Sequence, residues 1–270
     1  MRSGLDFEDG DRYDAPELPR LNANEGLLTD ISEFSVVVPV HNEAGNVATL
    51  VGEIAAALDG RAFEMVFVDD ASTDDTRAKL MALKATYPML RVLGHLSNAG
   101  QSRAIRSGIL AARAPVVGTL DGDGQNDPAD LPDLYRQLTR ADAPHGLKMV
   151  MGRRASRKDS AWKKFGSRFA NNIRQRMLRD DCDDSGCGIK VMDRDAYVML
   201  PYFDHMHRYM PALMKAEGHG VEFRDVNHRP RGEGKSNYTN FGRLRDALSD
   251  LRGVMWLIRR RRNPGGADEF

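Results

Sequence analysis

The chain has 270 residues, 41% of them hydrophobic, with 39 Lys/Arg against 39 Asp/Glu and a formal net charge of zero. That length supports one substantial core and at most a small second lobe, and the balanced charge offers no global field to nucleic acid, so no nucleic-acid partner is expected. Two cysteines, Cys182 and Cys187, are too few for a disulfide scaffold or a zinc cage and fit a reducing cytoplasm, while no stretch approaches the ~18 uncharged apolar residues of a membrane span and no signal segment opens the chain.

Residues 1 to about 32 are rich in Asp, Glu, Gly, Pro and Asn without an apolar period, which predicts a flexible arm. A strand follows over Phe34 to Val40, and Val47, Leu50, Val51, Ile54 and Leu58 recur behind it at helical spacing. Phe63 to Val68 predicts a second strand ending in Asp69-Asp70. Ser72 to Asp75 then offer cap-type residues for a helix through about Tyr87. Leu90 to Leu96 reads as a third strand, and Asn98-Ala99-Gly100 turns into a helix through about Arg113. Pro115 to Leu120 has the length and β-branched content of a buried fourth strand. Strand and helix alternating in this way predict a doubly wound, mostly parallel α/β sheet, with ligand groups gathered at the carboxyl ends of its strands.

That fourth strand stops in Asp121-Gly122-Asp123-Gly124-Gln125-Asn126-Asp127-Pro128. Two hard oxygen donors one residue apart, with Gln125 as a third, suit Mg²⁺ or Mn²⁺ that still holds waters and a substrate diphosphate. A plain Asp/Gly turn is the alternative. An EF-hand calcium loop fits worse, because Asn126 stands where its Gly is needed and Pro132 where the bidentate Glu belongs.

The spacing then loosens. A strand is expected over Lys148 to Gly152, a basic helix over about Ser160 to Leu178, and strands around Gly188 to Met192 and Val221 to His228. Arg153 to Arg179 holds ten Lys/Arg against the single acid Asp159, a solvated face or a seat for phosphate. Last, Phe241, Leu244, Leu248, Leu251, Met255 and Ile258 form a helical stripe beside Arg243, Arg245, Arg252 and Arg259 to Arg262. Such a helix either lies on an anionic membrane surface or packs its stripe on the protein's own core.

Taken in order, Pro39-Val40-His41-Asn42-Glu43, Val68-Asp69-Asp70, Asn98-x-Gly100, Asp121-Gly122-Asp123, Gly152-Arg153-Arg154, Ser167 to Asn171, Asp184 to Lys190 and Arg231 to Ser236 resemble family 2 glycosyltransferases. They are most similar to the polyprenyl-phosphate sugar synthases of the dolichyl-phosphate mannose synthase type, over about residues 34 to 258. The resemblance implies a GT-A type fold over residues 33–236, followed by an amphipathic basic helix over 237–262 and a tail over 263–270. It implies an inverting transfer of a hexose-type sugar from a UDP- or GDP-sugar to a polyprenyl phosphate, with Mg²⁺ or Mn²⁺, by an enzyme peripheral on the inner face of the cytoplasmic membrane. Pro39, His41, Glu43, Val68, Asp70, Asp121, Gly122 and Asp123 would bind the nucleotide sugar, with Asp121, Asp123 and Gln125 on the metal. Arg154, Arg168, Arg231 and Lys235 would hold the acceptor phosphate, and Asp123, Arg154 and Arg231 would be the catalytic residues.

Beside that assignment, Glu43 also suits a helix's first turn and Asp70 ordinary capping. Asn98 and Gly100 read as turn and packing residues. Met206 to Pro211 either lines the acceptor entrance or supplies a satisfied histidine and a helix-start proline. Three departures from the family pattern stand out. Asn237 replaces an expected lysine, with Lys235 nearby; His41 replaces an aromatic residue; and the chain ends after its basic helix, like members without transmembrane helices. Cys187 occupies a place where some relatives carry an acid, yet a phosphate acceptor, largely ionised at neutral pH, needs no general base. A saccharide hydroxyl acceptor, or a non-catalytic nucleotide-sugar-binding protein docked on a membrane, are the competing readings.

Overall fold

The structure, a computed structural model, describes residues 32–154, 174–229 and 240–262, with side chains from 248 onward in the last stretch. The expected arm, the basic helix before 174, Ser167 to Asn171, Arg168, Arg231, Lys235, Asn237, the side chains of Phe241, Arg243, Leu244 and Arg245, and the tail lie outside the described residues.

Seven strands form one sheet in the order β3-β2-β1-β4-β6-β5-β7. These are β1 Phe34–Val40, β2 Phe63–Asp69, β3 Leu90–Gly94, β4 Val116–Thr119, β5 Leu147–Arg154, β6 Lys190–Asp193 and β7 Gly220–Val226. β1 pairs in parallel with β2 and β4, β2 with β3, and β5 with β7; only β6 runs against its neighbours β4 and β5. Six carboxyl ends and the amino end of β6 therefore meet along one edge. The expected doubly wound, mostly parallel sheet with a mixed second half is what the chain adopts.

The first half follows its apolar period closely. β1 is buried along its whole length, and α1 (Val47–Ala57) turns Val47, Leu50, Val51 and Ile54 onto the sheet. α3 (Gln101–Ala111) buries Ser102, Ala104, Ile105, Gly108 and Ile109. Gly108 sets how closely α3 lies on β1 and β2, because a Cβ there would overlap Val37 Cγ1 and reach within 3.0 Å of Val68 Cγ2. Val68, expected among the nucleotide-binding residues, has a fully buried side chain that faces α3, since strand alternation sends successive residues to opposite faces.

Other boundaries moved for local reasons. α2 (Thr76–Leu83) ends four residues before Tyr87, where Thr86 and Tyr87 N–H both turn back to the Leu83 carbonyl ahead of Pro88. α4 (Leu131–Thr139) has no counterpart in the sequence reading. Its aspartate-rich approach and Pro132 look like a break, yet Pro is favoured in a first turn, and Leu131, Leu134 and Leu138 cover the sheet. The strand expected from Gly188 begins only at Lys190. Described helical residues 174–178 belong to α5, and α6 (Arg194–Val198) and α7 (Met210–Ala216) follow, with Pro211 in the first turn of α7.

α8 (Asn240–Arg260) packs on α7. Leu251 and Val254 are buried, and Met255 and Ile258 lean on the core beside them. Arg261 pairs with Glu217 at 2.5 Å. The stripe thus packs inward from Leu251 onward. Leu248 and Trp256 remain more than half or about half exposed, at 50% and 58%, with Arg252 and Arg259 on the same outward side and the Arg260 guanidinium 5.8 Å from the Trp256 ring centre. No helix among the described residues is long and apolar enough to cross a membrane.

Candidate active site

A cleft of about 910 Å³ opens at the common strand edge, within the size range of small-ligand sites. Pro39, His41 and Glu43 reach it from β1, Asp70 from β2, Asp121, Gly122, Asp123 and Gln125 from β4, and Arg154 from β5. Cys187, His207, Arg208 and His228 complete much of its second half.

Asp121 is held on several sides. Gln101 Nε2 donates to its Oδ1 at 2.7 Å, its own N–H donates to Asn126 Oδ1 at 3.0 Å, and the Gly188 backbone presses on its carboxylate. Burial raises its pKa, the positive charge of Lys190 opposes that shift, and the charge of Asp123 adds to it. Asp123 Oδ1 accepts the Gln125 N–H at 3.1 Å, and the residue is 9% exposed. An acid whose ionisation is disfavoured by burial and by the second carboxylate beside it, at the edge of a cleft, fits a divalent cation whose charge would offset both. Among the described residues no three His, Cys, Asp or Glu close into a cage. That suits a hard cation completed by Gln125, waters and substrate oxygens rather than a structural metal.

Lys190 is buried behind this seat. Its ammonium donates to the Cys187 carbonyl and lies 3.5 Å from that of Gly188, which also accepts from Thr119 Oγ1 at 2.9 Å. The turn over 187–188 is thus pinned from two directions.

On the other side, the Asp70 carboxylate accepts the Ala99 and Gly100 N–H groups at 2.9 and 2.7 Å and meets His95 Nδ1 at 2.6 Å. Its carbonyl accepts from Asn98 Nδ2 and from His41 Nδ1, at 3.3 and 2.9 Å. His41 therefore carries its proton on Nδ1, and the Asn42 amide, 3.3 Å from Nε2, donates to that nitrogen. Asp70 clamps the 98–100 turn while it lines the cleft, so the turn role expected for Asn98 and Gly100 has a named partner. Glu43 lines the cleft and accepts from Asn46 Nδ2 at 2.6 Å. Asp75 caps α2 without a side-chain bond, and Asp74 just before it accepts the Thr76 N–H at 3.0 Å.

Arg154 faces the cleft and Arg153 does not. Arg154 is engaged, however: its Nε and Nη2 grip Asp184 at 2.6 and 2.5 Å, while Arg153 turns to Asp225 at 2.7 Å. Cys187 is a buried thiol with its pKa pushed up by desolvation, unsuited to act as a base. Gln101, Asn126 and His228 were missed from the sequence. Asn126 follows directly on the acidic run, Gln101 opens the helix after Asn98-x-Gly100, and His228 bridges to Asn126 just beyond β7. Arg229 fixes that crossing, with its N–H on the Gln125 carbonyl at 2.9 Å and its guanidinium on Glu53 and Asp127.

His207 Nδ1 lies 2.7 Å from Ser102 Oγ, and the same hydroxyl accepts the His207 N–H at 3.3 Å. Burial, with Lys190, Arg208 and His205 as neighbours, holds this imidazole well below its ordinary pKa. The unfolded chain takes up that proton near pH 6.5 and the folded chain does not, so protons favour unfolding as pH falls below that value. His207→Gln should accordingly flatten the loss of thermal stability between about pH 7 and 5. An unchanged slope in scanning calorimetry would assign the acid sensitivity to other groups.

Residues 35–200 match the family described as glycosyl transferase family 2. The chain is 32% identical over 239 residues to the dodecaprenyl-phosphate galacturonate synthase of Rhizobium johnstonii, covering 86% of this chain and 69% of that protein. It is 35% identical over 226 residues to the undecaprenyl-phosphate 4-deoxy-4-formamido-L-arabinose transferase of Pseudomonas aeruginosa, covering 82% of this chain and 64% of the relative. Among solved structures, glucosyl-3-phosphoglycerate synthase from Mycobacterium tuberculosis, in complex with Mn²⁺, UDP and glucosyl-3-phosphoglycerate, superposes with a TM-score of 0.65. That match covers 87% of this chain and 82% of the other at 16% identity, a likeness of fold.

Proposed function

The chain belongs to glycosyl transferase family 2, and from that premise we propose that it moves a hexose-type sugar from a nucleotide diphosphate donor to a polyprenyl phosphate, with inversion, at the cytoplasmic face of the membrane. The observation that carries this reading is the gathering of Asp121 and Asp123 with His41, Glu43 and Asp70 in one cleft. The acceptor class rests on the two relatives, each named for a polyprenyl-phosphate product or acceptor.

In the transfer, an acceptor phosphate oxygen forms a bond to the anomeric carbon as the bond from that carbon to the donor diphosphate breaks. The electron pair leaves with the nucleoside diphosphate. A divalent cation bound at Asp121, Asp123 and Gln125 would supply Lewis-acid neutralisation of the leaving charge, a contribution of several kcal/mol. Gln101 and Gly188 keep Asp121 in place, Asp70 and His41 shape the nucleoside side, and Arg154 with Asp184 forms the wall toward the acceptor. Arg168, Arg231 and Lys235 complete the proposed acceptor set from outside the described residues. A phosphomonoester with a second pKa near 6 attacks without a base, which agrees with a cleft where the residue at 187 is a buried thiol.

The outward side of α8 supports docking on an anionic membrane: Leu248 and Trp256 offer apolar surface between Arg252 and Arg259, and each such arginine is worth about 1 kcal/mol near acidic lipid. Double substitution Leu248→Glu, Trp256→Glu should lower co-sedimentation with vesicles containing phosphatidylglycerol by roughly tenfold. Equal sedimentation would remove the docking idea. The transfer itself is tested with radiolabelled UDP- and GDP-sugars, Mg²⁺ or Mn²⁺, and a short polyprenyl phosphate. Label extracted into organic solvent from one donor, and lost with chelator, is the expected result; intact donor binding without lipid product would favour a hydroxyl acceptor or a non-catalytic role.

A further inference from the structure

The turn between α6 and α7 is built more firmly than a connecting loop requires. Met206 is fully buried and lies 3.9 Å from the Tyr197 hydroxyl, His205 adopts a left-handed conformation at φ 63°, and its ring meets Asp250 of α8 at 3.0 Å. A left-handed backbone at a residue other than glycine is strained and persists only where its surroundings impose it. The same turn is tied to the start of α3 through the paired contacts of His207 with Ser102.

This construction delivers two side chains to the cleft. The Ser102 hydroxyl accepts the His207 backbone N–H and keeps its own proton to give to Nδ1, and in that tautomer the neutral ring carries its proton on Nε2 as an uncharged donor. Arg208 lies beside it on the cleft wall and makes no side-chain hydrogen bond or ion pair with any described residue. Arg154, by contrast, is held by Asp184. A half-buried guanidinium with its donors unspent, next to an aimed N–H, matches a single anionic oxygen group.

We propose that His207 and Arg208 form an anion subsite, distinct from Arg154, Arg168, Arg231 and Lys235, that takes one oxyanion of the substrates, either the acceptor's phosphomonoester or a carboxylate on the donor sugar. The inference rests on the transferase reading for the identity of those substrates. The chemistry is shared by both sources: a bidentate-capable oxyanion receiving two donors from one turn. Both residues lie in the one turn Met206–Arg208, which His205 ties to Asp250 of α8.

The test measures binding rather than turnover. Titration calorimetry of the full chain with geranyl phosphate, with UDP-glucuronate and with UDP-glucose, each with Mn²⁺, is compared between wild type, Arg208→Gln, Arg208→Lys and His207→Gln. Arg208→Gln should weaken one anionic probe by roughly tenfold or more, as loss of a charge-assisted hydrogen bond does, with UDP-glucose unchanged and partial recovery in Arg208→Lys. His207→Gln should weaken the same probe to a smaller degree. An effect on geranyl phosphate assigns the subsite to the acceptor; an effect confined to UDP-glucuronate assigns it to a donor carboxylate. Equal affinities in all four proteins, or an equal loss for all three probes, would overturn the proposal, as would a wild type that binds none of them. Binding of geranyl phosphate lost in Arg208→Gln, in a wild type that transfers no sugar, would sink the transferase reading and leave the subsite standing.

Discussion

Asp123→Asn protein should melt within a degree or two of wild type and lose turnover by about three orders of magnitude, since a Lewis-acid contribution of several kcal/mol corresponds to a factor of ten per 1.36 kcal/mol. The fold survives because asparagine keeps the oxygen that accepts the Gln125 N–H. What disappears is one of the two charges that would face the proposed cation. The effect is separable from misfolding by a second readout: Mn²⁺ at about a hundred times its dissociation constant should stabilise wild type by about 2.7 kcal/mol and the variant far less. Full activity in Asp123→Asn would end the metal-dependent mechanism outright. Loss of activity with undiminished Mn²⁺ stabilisation would move the metal away from this carboxylate.

Gly188→Ala is the second large effect, and it acts without touching any charge. A Cβ at this position would fall 2.6 Å from Asn126 Oδ1 and nearer still to Asp121 Oδ2. The backbone has nowhere to retreat, because the Gly188 carbonyl is held by Thr119 Oγ1 and the neighbouring Cys187 carbonyl by Lys190. Overpacking of this kind costs about 1–3 kcal/mol. The strain is relieved most cheaply by displacing the Asp121 carboxylate from its Gln101 partner, and a displacement near 1 Å costs on the order of a hundredfold in rate. Gly186→Ala is the matched control: its Cβ would sit 3.4 Å from Arg154 Nη2, an ordinary contact at a flexible side-chain end, and near wild-type rates are expected. Equal rates for Gly188→Ala and wild type would mean that the seat is far softer than its contacts indicate.

The parts of the molecule that were readable in advance are those decided by near neighbours in sequence. β1 to β4 and α1 and α3 follow from apolar periods bounded by Gly, Pro and Asp, and Asp121 and Asp123 stand out because two acids end a buried strand. Distant partners were not readable. Nothing near Arg154 announces that Asp184, 30 residues on, will occupy its guanidinium, and nothing near Asp70 announces its bonds to Ala99 and Gly100. That the Val68 side chain turns toward α3 was not readable either, because a motif carries no record of which face of a strand each residue takes. α4 was hidden by the proline and acids that in fact start it. The stretch from Met206 to Pro211 read either as an entrance or as a satisfied histidine, and the partner that satisfies His207, the hydroxyl of Ser102, lies 105 residues earlier.

The reversed direction of β6 has a consequence for the order in which the molecule is assembled. The side of the cleft that carries His41 and Asp70 rests on the β1–β2 and β2–β3 pairings, whose register partners lie 29 and 25 residues apart, so these pairings form by closing short loops. The seat of Asp121 is different: its wall arrives with Gly188, 69 residues beyond the Thr119 hydroxyl that receives it, after β5 and the long connection that follows. Contacts across such separations are slow to form, since the entropy of closing the loop is spent before any contact returns it. The Asp70 side of the cleft is thus expected to form early and locally and the Asp121 side by later, long-range docking, so that a chain caught between the two would hold the turn at Asp70 while still lacking the floor beneath Asp121 and Asp123.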